Sequence, residues 1–137
     1  MDTITKEERS LLMSKIRSKN TKPEKVVRQV LTSLGLRYRL HVNKLAGKPD
    51  ITINRLKIAI FVNGCFWHQH EGCLISKIPK SNVDYWKRKL ERNIERQKEA
   101  IALLNTQGYT TLIYWECETE KPELLKVKIK EDLAYEK

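Results

Sequence analysis

The sequence predicts a single mixed α/β domain, one central sheet flanked by helices. Three observations carry that prediction. The chain has 137 residues, the length of one compact domain and too little for two full cores. Apolar residues make up 40% of it, enough to bury a core. Hydrophobic periodicity then changes along the chain, from helical to three strand-like runs, then a long helix, a further strand and a last helix. That order suits one sheet in which a crossover helix joins the third and fourth strands.

The elements follow in order. Ser10 to Arg17 holds Leu11, Leu12 and Ile16, a short amphipathic helix with basic residues between them. Lys15, Arg17, Lys19 and Lys22 form either a solvated face or a DNA-clamping arm, so residues 1–19 read as a basic N-terminal arm and 20–137 as the main domain. Thr21-Lys22-Pro23-Glu24 is a helix start: Thr21 can cap, Pro23 suits the first turn and Glu24 stands three residues after the cap. Val26, Val27, Val30, Leu31 and Leu34 then recur at helical spacing until Gly35. Arg37 to Val42 alternates, with Tyr38 and Leu40 on one face. Asp50 to Asn54 places Ile51 and Ile53 together, and Asn54-Arg55 is a tight turn. Lys57 to Val62 is nearly continuous apolar, as in a central buried strand. Asn63 to Cys73 contains Gly64 and Gly72 and breaks the periodicity. A long helix starts near Ser81 or Asn82, with Trp86, Leu90, Ile94, Gln97, Ile101 and Leu104 along one stripe, and Gly108 stops it. Tyr109 to Trp115 is a strand, and the tail after Pro122 is a final helix.

Composition narrows the function. Lys plus Arg is 27 and Asp plus Glu 17, a net charge of +10. Such an excess on a small domain favours a polyanionic partner, nucleic acid above all, although many basic proteins have no such partner. No run approaches the ~18–20 apolar residues of a membrane helix. The segment Met1 to Arg9 lacks an apolar signal region, so a cytoplasmic protein is expected. Three cysteines without a secretion signal do not suggest a disulfide framework; buried thiols or a metal site are the alternatives.

Cys65, His70 and Cys73 lie in one short loop as Cys-x4-His-x2-Cys, and Cys117 falls just past a predicted strand end. Together they would complete a closed tetrahedral zinc site, against the alternative of unrelated thiols and an exposed histidine. Lys48-Pro49-Asp50 puts an acid at the start of a strand, either a structural turn aspartate or a Mg²⁺ ligand. His68 is free for acid–base work if His70 is the zinc ligand; otherwise it is a surface residue or a rival ligand. Phe66 and Trp67 are adjacent in a polar loop, where they could cover the zinc site or wedge between bases. Trp86 could join them, and its stripe position equally suits the core.

At Cys65-Phe66-Trp67-His68-Gln69-His70 the chain resembles the very-short-patch repair (Vsr) endonucleases, a branch of the PD-(D/E)xK, restriction-endonuclease-like fold. The other pieces are Asn20-Thr21-Lys22-Pro23-Glu24, Arg37-Tyr38-Arg39-Leu40-His41, Gly47-Lys48-Pro49-Asp50 and Tyr114-Trp115-Glu116-Cys117. Their order and spacing are specific. The resemblance implies a monomeric, Mg²⁺-dependent endonuclease that nicks one strand of double-stranded DNA beside T:G mismatches left by deamination of 5-methylcytosine. It also implies a functional association with a cytosine-5 DNA methyltransferase system. Asp50 and the Val62 backbone carbonyl would hold Mg²⁺, His68 would help activate water, and Glu24 would support the metal-bound waters. Cys65, His70, Cys73 and Cys117 would hold structural Zn²⁺, and Phe66, Trp67 and Trp86 would intercalate. Lys15, Arg17 and Lys19 would clamp the opposite groove. The chain departs from the family pattern at Val62, where relatives have Thr. It departs again at Asn63, where an imidazole often contacts phosphate, and at Gln97, in place of an acid orienting the catalytic histidine. Two other readings are a restriction-type nuclease of similar fold and a zinc-containing DNA-binding module without catalysis, which would need neither Asp50 nor His68.

Overall fold

A computed structural model describes residues 21–73 and 77–134. The helix expected over Ser10 to Arg17, with Lys15, Arg17 and Lys19, lies outside the described residues, as does the boundary at residue 19. The first described helix, α1 (Lys22–Ser33), starts where the sequence signals it. The Thr21 hydroxyl accepts the Glu24 backbone N–H at 3.4 Å, Pro23 occupies the first turn, and the chain leaves through Leu34 and a left-handed Gly35. Four strands, β1 (Arg39–Leu40), β2 (Ile51–Ile53), β3 (Ile58–Asn63) and β4 (Thr110–Trp115), form one sheet in that order. The first two pairings are antiparallel and β3 runs parallel to β4. Helix α2 (Val83–Thr106) makes the crossover, and α3 (Pro122–Ala134) closes the described chain.

Alternation along β3 explains the three layers. Ile58 and Ile60 point to one face with Ile51 and Ile53, where Val27, Val30 and Leu31 of α1 and Leu125, Ile129 and Leu133 of α3 cover them. Ala59 and Phe61 point to the other face, against Ala100 and Leu104 of α2. Buried on both faces, β3 is the continuous apolar strand the sequence indicates. The first strand is shorter than Arg37 to Val42. Both its residues are exposed, among the described residues it pairs only with β2, and His41, at φ +48°, ends it in the left-handed region. Tyr38 packs on the core while Leu40 remains exposed. The expected turn at Asn54-Arg55 is a short 3-10 segment, Asn54–Leu56, closed by a left-handed Lys57.

The buried stripe of α2 also differs from expectation. Trp86, Leu90, Asn93, Ala100 and Leu104 are buried, whereas Ile94 and Ile101 are half-buried. The inward line thus selects a small and a polar residue where the sequence offers two isoleucines. The cause is close approach. A Cβ added to Gly47 would stand 2.5 Å from Cβ of Ala100 and 3.5 Å from the Phe61 ring. With φ at +70°, Gly47 carries the loop toward β2 across α2 at a distance no side chain allows. No helix among the described residues is long and apolar enough to cross a membrane.

Candidate active site and metal centre

The topology gathers the candidate residues at one edge of the sheet. Because β2 is antiparallel to β3, the start of β2 lies beside the C-terminal end of β3, where the parallel β4 also ends. Asp50 precedes β2, and its Oδ2 accepts the Val62 backbone N–H at 2.7 Å. Glu24, three residues past the cap of α1, is 2% exposed, so its side chain is buried at this same edge. Its Oε2 accepts Arg28 Nη2 at 2.7 Å, and its Oε1 lies 3.1 Å from His41 Nε2. One ligand atom each from Glu24, His41 and Asp50 lies within 4.8 Å of the others. Two carboxylates and an imidazole in so small a space are a donor set suited to a divalent cation.

The electrostatics agree with that use. Burial pushes the Asp50 carboxyl up to about 6, and the charge of Glu24 adds to the rise; the Val62 N–H and the Arg28 guanidinium pull it down. A bound dication would offset both causes of the rise. Arg28 and His41 are members of this site that composition and spacing did not single out. Their signals were present: Arg28 is one helical turn beyond Glu24, and His41 closes the Tyr-Arg-Leu-His run before Asp50. His68 is placed in the turn after Gly64, whose carbonyl accepts its backbone N–H at 3.2 Å, and it stands outside the Glu24–His41–Asp50 group.

The departures at Asn63 and Gln97 turn out to be partners. Asn63 Nδ2 donates to Gln97 Oε1 and Gln97 Nε2 donates to Asn63 Oδ1, both at 2.8 Å. Asn63 is 3% exposed and faces α2, in register with Ala59 and Phe61. Its amide joins the end of β3 to α2 instead of facing solvent, and Gln97 is engaged with Asn63.

Cys65, His70, Cys73 and Cys117 converge as expected, with ligand atoms within 4.8 Å of one another and no disulfide among them. His70 Nδ1 lies 3.7 Å from Cys65 Sγ and 3.4 Å from Cys117 Sγ. Neighbouring N and S ligands of a tetrahedral ion with the usual zinc bond lengths would be about 3.6 Å apart, so the donor set fits. The His70 ring stacks on Trp115 at 4.1 Å, and the Cys65 N–H donates to Glu116 Oε1 at 3.2 Å. Without a metal, burial pushes the Cys65 thiol up to about 12.

The aromatics pack together. Trp67 and Trp86 are buried with Leu90, and Phe66 lies edge-on to both rings at 5.2 and 5.6 Å. Lys89 Nζ sits over Trp67 and Trp86 at 5.4 and 5.8 Å. Beside this cluster a groove of about 470 Å³ runs along α2, lined by Arg88, Lys89, Arg92 and Arg96 among others.

Comparison with known proteins matches residues 1–74 to the sequence model of the family described as DNA mismatch endonuclease Vsr. The chain is 43% identical over 129 residues to the type II nicking enzyme V.XorIIP of Xanthomonas oryzae pv. oryzae, covering 94% of each chain. It is 39% identical over 128 residues to the type II nicking enzyme V.NmeAIP of Neisseria meningitidis, covering 93% of this chain and 91% of that one. It is 36% identical over 116 residues to the DNA mismatch endonuclease Vsr of Escherichia coli, covering 85% of this chain and 74% of that one.

Proposed function

The chain belongs to the Vsr family of DNA mismatch endonucleases, and from that premise we propose that it nicks one strand of duplex DNA beside a T:G mismatch, with Mg²⁺ at Asp50 and structural Zn²⁺ at the cysteine cluster. The observation that carries the reading is the meeting of Asp50, Glu24 and His41 at the sheet edge, beside the loop that holds the Cys65 cluster. A zinc-containing DNA-binding module would have no use for a buried and a half-buried carboxylate that repel each other.

Asp50 supplies the carboxylate ligand, and the Val62 peptide, already against Asp50 through its N–H, supplies a backbone carbonyl. Glu24, held by Arg28, orients water at the same position. His68, in the turn beyond β3, takes a proton from the attacking water. When bound, the divalent ion polarises the scissile phosphate and lowers the pKa of water. Arg88, Arg92 and Arg96 give α2 a cationic face for the phosphate backbone. Phe66, Trp67 and Trp86 insert beside the mismatch, where stacking is already weak. The cysteine cluster ties the 65–73 loop to the end of β4 and so fixes the site's floor.

The experiment is nicking of matched T:A and mismatched T:G duplexes, with and without Mg²⁺, by the parent and Asp50→Ala. The expected result is one-strand cleavage of T:G only, dependent on Mg²⁺ and abolished by Asp50→Ala with DNA binding retained. Two of the relatives are named type II nicking enzymes, so intact sites belong in the panel. Equal cutting of T:A and T:G would replace the mismatch reading with the restriction-type one.

A further inference from the structure

His41 stands between a carboxylate and a guanidinium. Nε2 lies 3.1 Å from Glu24 Oε1 and 3.4 Å from Arg28 Nη2. Arg28 can only donate. If Nε2 carries a proton it donates to Glu24 and then confronts the guanidinium N–H. If Nε2 is bare it accepts from Arg28, which already donates to Glu24 Oε2 at 2.7 Å. The one Nε2 lone pair then faces Arg28 Nη2, with Glu24 Oε1 beside it at 3.1 Å, so a cation that displaces the guanidinium from Nε2 would meet both atoms. The 3.1 Å separation is close to the roughly 2.9–3.0 Å expected between adjacent ligand atoms of an octahedral ion with bonds of about 2.1 Å.

The backbone serves the same placement. His41 adopts φ +48°, sparsely populated by residues other than glycine. Its N–H still donates to the Asp50 carbonyl at 3.2 Å, so the residue is tied to the segment that bears the first carboxylate. The ring is largely buried, with 14% of the side chain exposed. A surface imidazole would need none of this.

We propose that His41 is a nitrogen donor to the metal held by Asp50 and Glu24, making the site a mixed nitrogen–oxygen one that takes Mn²⁺ in preference to Mg²⁺. The proposal rests on the reading of Asp50 and Glu24 as the metal position. Magnesium favours an all-oxygen shell with retained water, whereas the Irving–Williams order and an imidazole ligand favour a first-row transition ion.

The test uses the zinc-loaded full chain and Mn²⁺ alone as the probe. Mn²⁺ binding is followed by loss of the free-ion electron paramagnetic resonance signal, with Mg²⁺ as competitor. Pulsed measurements on the bound ion look for ¹⁴N coupling from a ligated imidazole. The parent is expected to show that coupling and to bind Mn²⁺ at least ~10-fold more tightly than Mg²⁺. His41→Gln is expected to lose the coupling and ~10-fold or more of the Mn²⁺ affinity, with Mg²⁺ affinity changed less than about 3-fold. Absence of ¹⁴N coupling in the parent would overturn the proposal without recourse to any variant. Coupling that survives in His41→Gln would also overturn it, because the nitrogen would then belong to another histidine. Neither outcome touches nicking of T:G by the parent in Mg²⁺, which is decided separately; a protein that nicks yet shows no imidazole coupling keeps its function and loses this ligand.

Discussion

Asp50 is a carboxyl withdrawn from water beside a second carboxylate, and burial with the charge of Glu24 pushes it up to about 6. A pKa raised above its unfolded value favours folding while the group is protonated. That contribution is fully present below about pH 4 and is lost as pH rises through about 6. At neutral pH the metal-free protein therefore bears a cost on the order of 2–3 kcal/mol at this residue. Asp50→Asn removes the charge and keeps an acceptor for the Val62 N–H. In Mg²⁺-free buffer the variant is expected to melt higher than the parent at pH 8, with the gap closing toward pH 4. A gap that stays constant across that range would assign the effect to packing instead of ionisation. Divalent ion should shrink the gap at pH 8, by stabilising the parent alone. At this scale the sequence showed Asp50, through its place after Pro49, and it showed the four soft ligands. Local pattern gave Glu24 only a place in the first helical turn, because a first-turn acid serves the helix N-terminus equally well when its burial is unknown; its role at the metal-bound waters came from the family resemblance. His41 and Arg28 gained roles only when β1 and α1 met, and no local pattern encodes that meeting.

Two features bear on how the elements are held, a cysteine–histidine cluster that we propose acts as a metal clip, and a close approach. The clip joins the 65–73 loop to Cys117, just past β4. Burial makes the Cys65 and Cys117 thiols resist ionisation when the metal is absent, so binding must release protons and weakens as pH falls. We expect one zinc per chain in protein purified without chelator, and Cys73→Ser or chelation to lower the melting temperature. Zinc-free protein with unchanged melting would leave the cluster as packed thiols. The close approach is Gly47 on α2. Gly47→Ala forces a Cβ to 2.5 Å from Ala100 at a left-handed φ, with an expected loss of about 2–4 kcal/mol. Pairing it with Ala100→Gly removes the clash and leaves the φ strain. A double-mutant cycle in urea should therefore show a favourable coupling of about 1 kcal/mol or more; strict additivity would mean the contact is not the cause. The same contact explains why the inward face of α2 departs from its apolar periodicity. Periodicity ranks Ile94 and Ile101 as inward because they are large and apolar. The fold turns Ala100 inward because Gly47 leaves no room there, and Asn93 with it. The pairing of Asn63 with Gln97 follows from that helix rotation and from the alternation of β3. Neither residue signals the other, since they are far apart in sequence and both are common surface types.

The whole molecule places its DNA-facing candidates in two states of burial. Arg88, Arg92 and Arg96 line an open groove on α2, together with Asp84 at its start. Trp67 and Trp86 are only 6% and 5% exposed and are packed with Phe66 and Leu90. Insertion between bases would therefore require the cluster to open and to give up burial worth about 2–3 kcal/mol per large ring. Lys89 couples the two states. Its ammonium lies over Trp67 and Trp86 and also lines the groove. Under the proposed function, a phosphate in the groove would draw Lys89 off the rings and weaken the closed cluster. A mismatched step costs less to unstack than a paired one, so under the proposed function it would be the step that offsets the remaining cost of opening. Binding and opening are thus separable. Affinity for T:A and T:G duplexes should fall similarly and steeply with salt, because phosphate contacts dominate both. Tryptophan fluorescence should change strongly on T:G duplex and little on T:A duplex at equal saturation. Of the three tryptophans, Trp115 is stacked on His70 and should remain constant. Lys89→Met, which keeps most of the side-chain stem, should weaken binding to both duplexes and diminish the T:G-specific fluorescence change. Equal fluorescence changes on the two duplexes, with T:G still cut preferentially, would show that the rings remain core and that discrimination lies in contacts to the displaced bases.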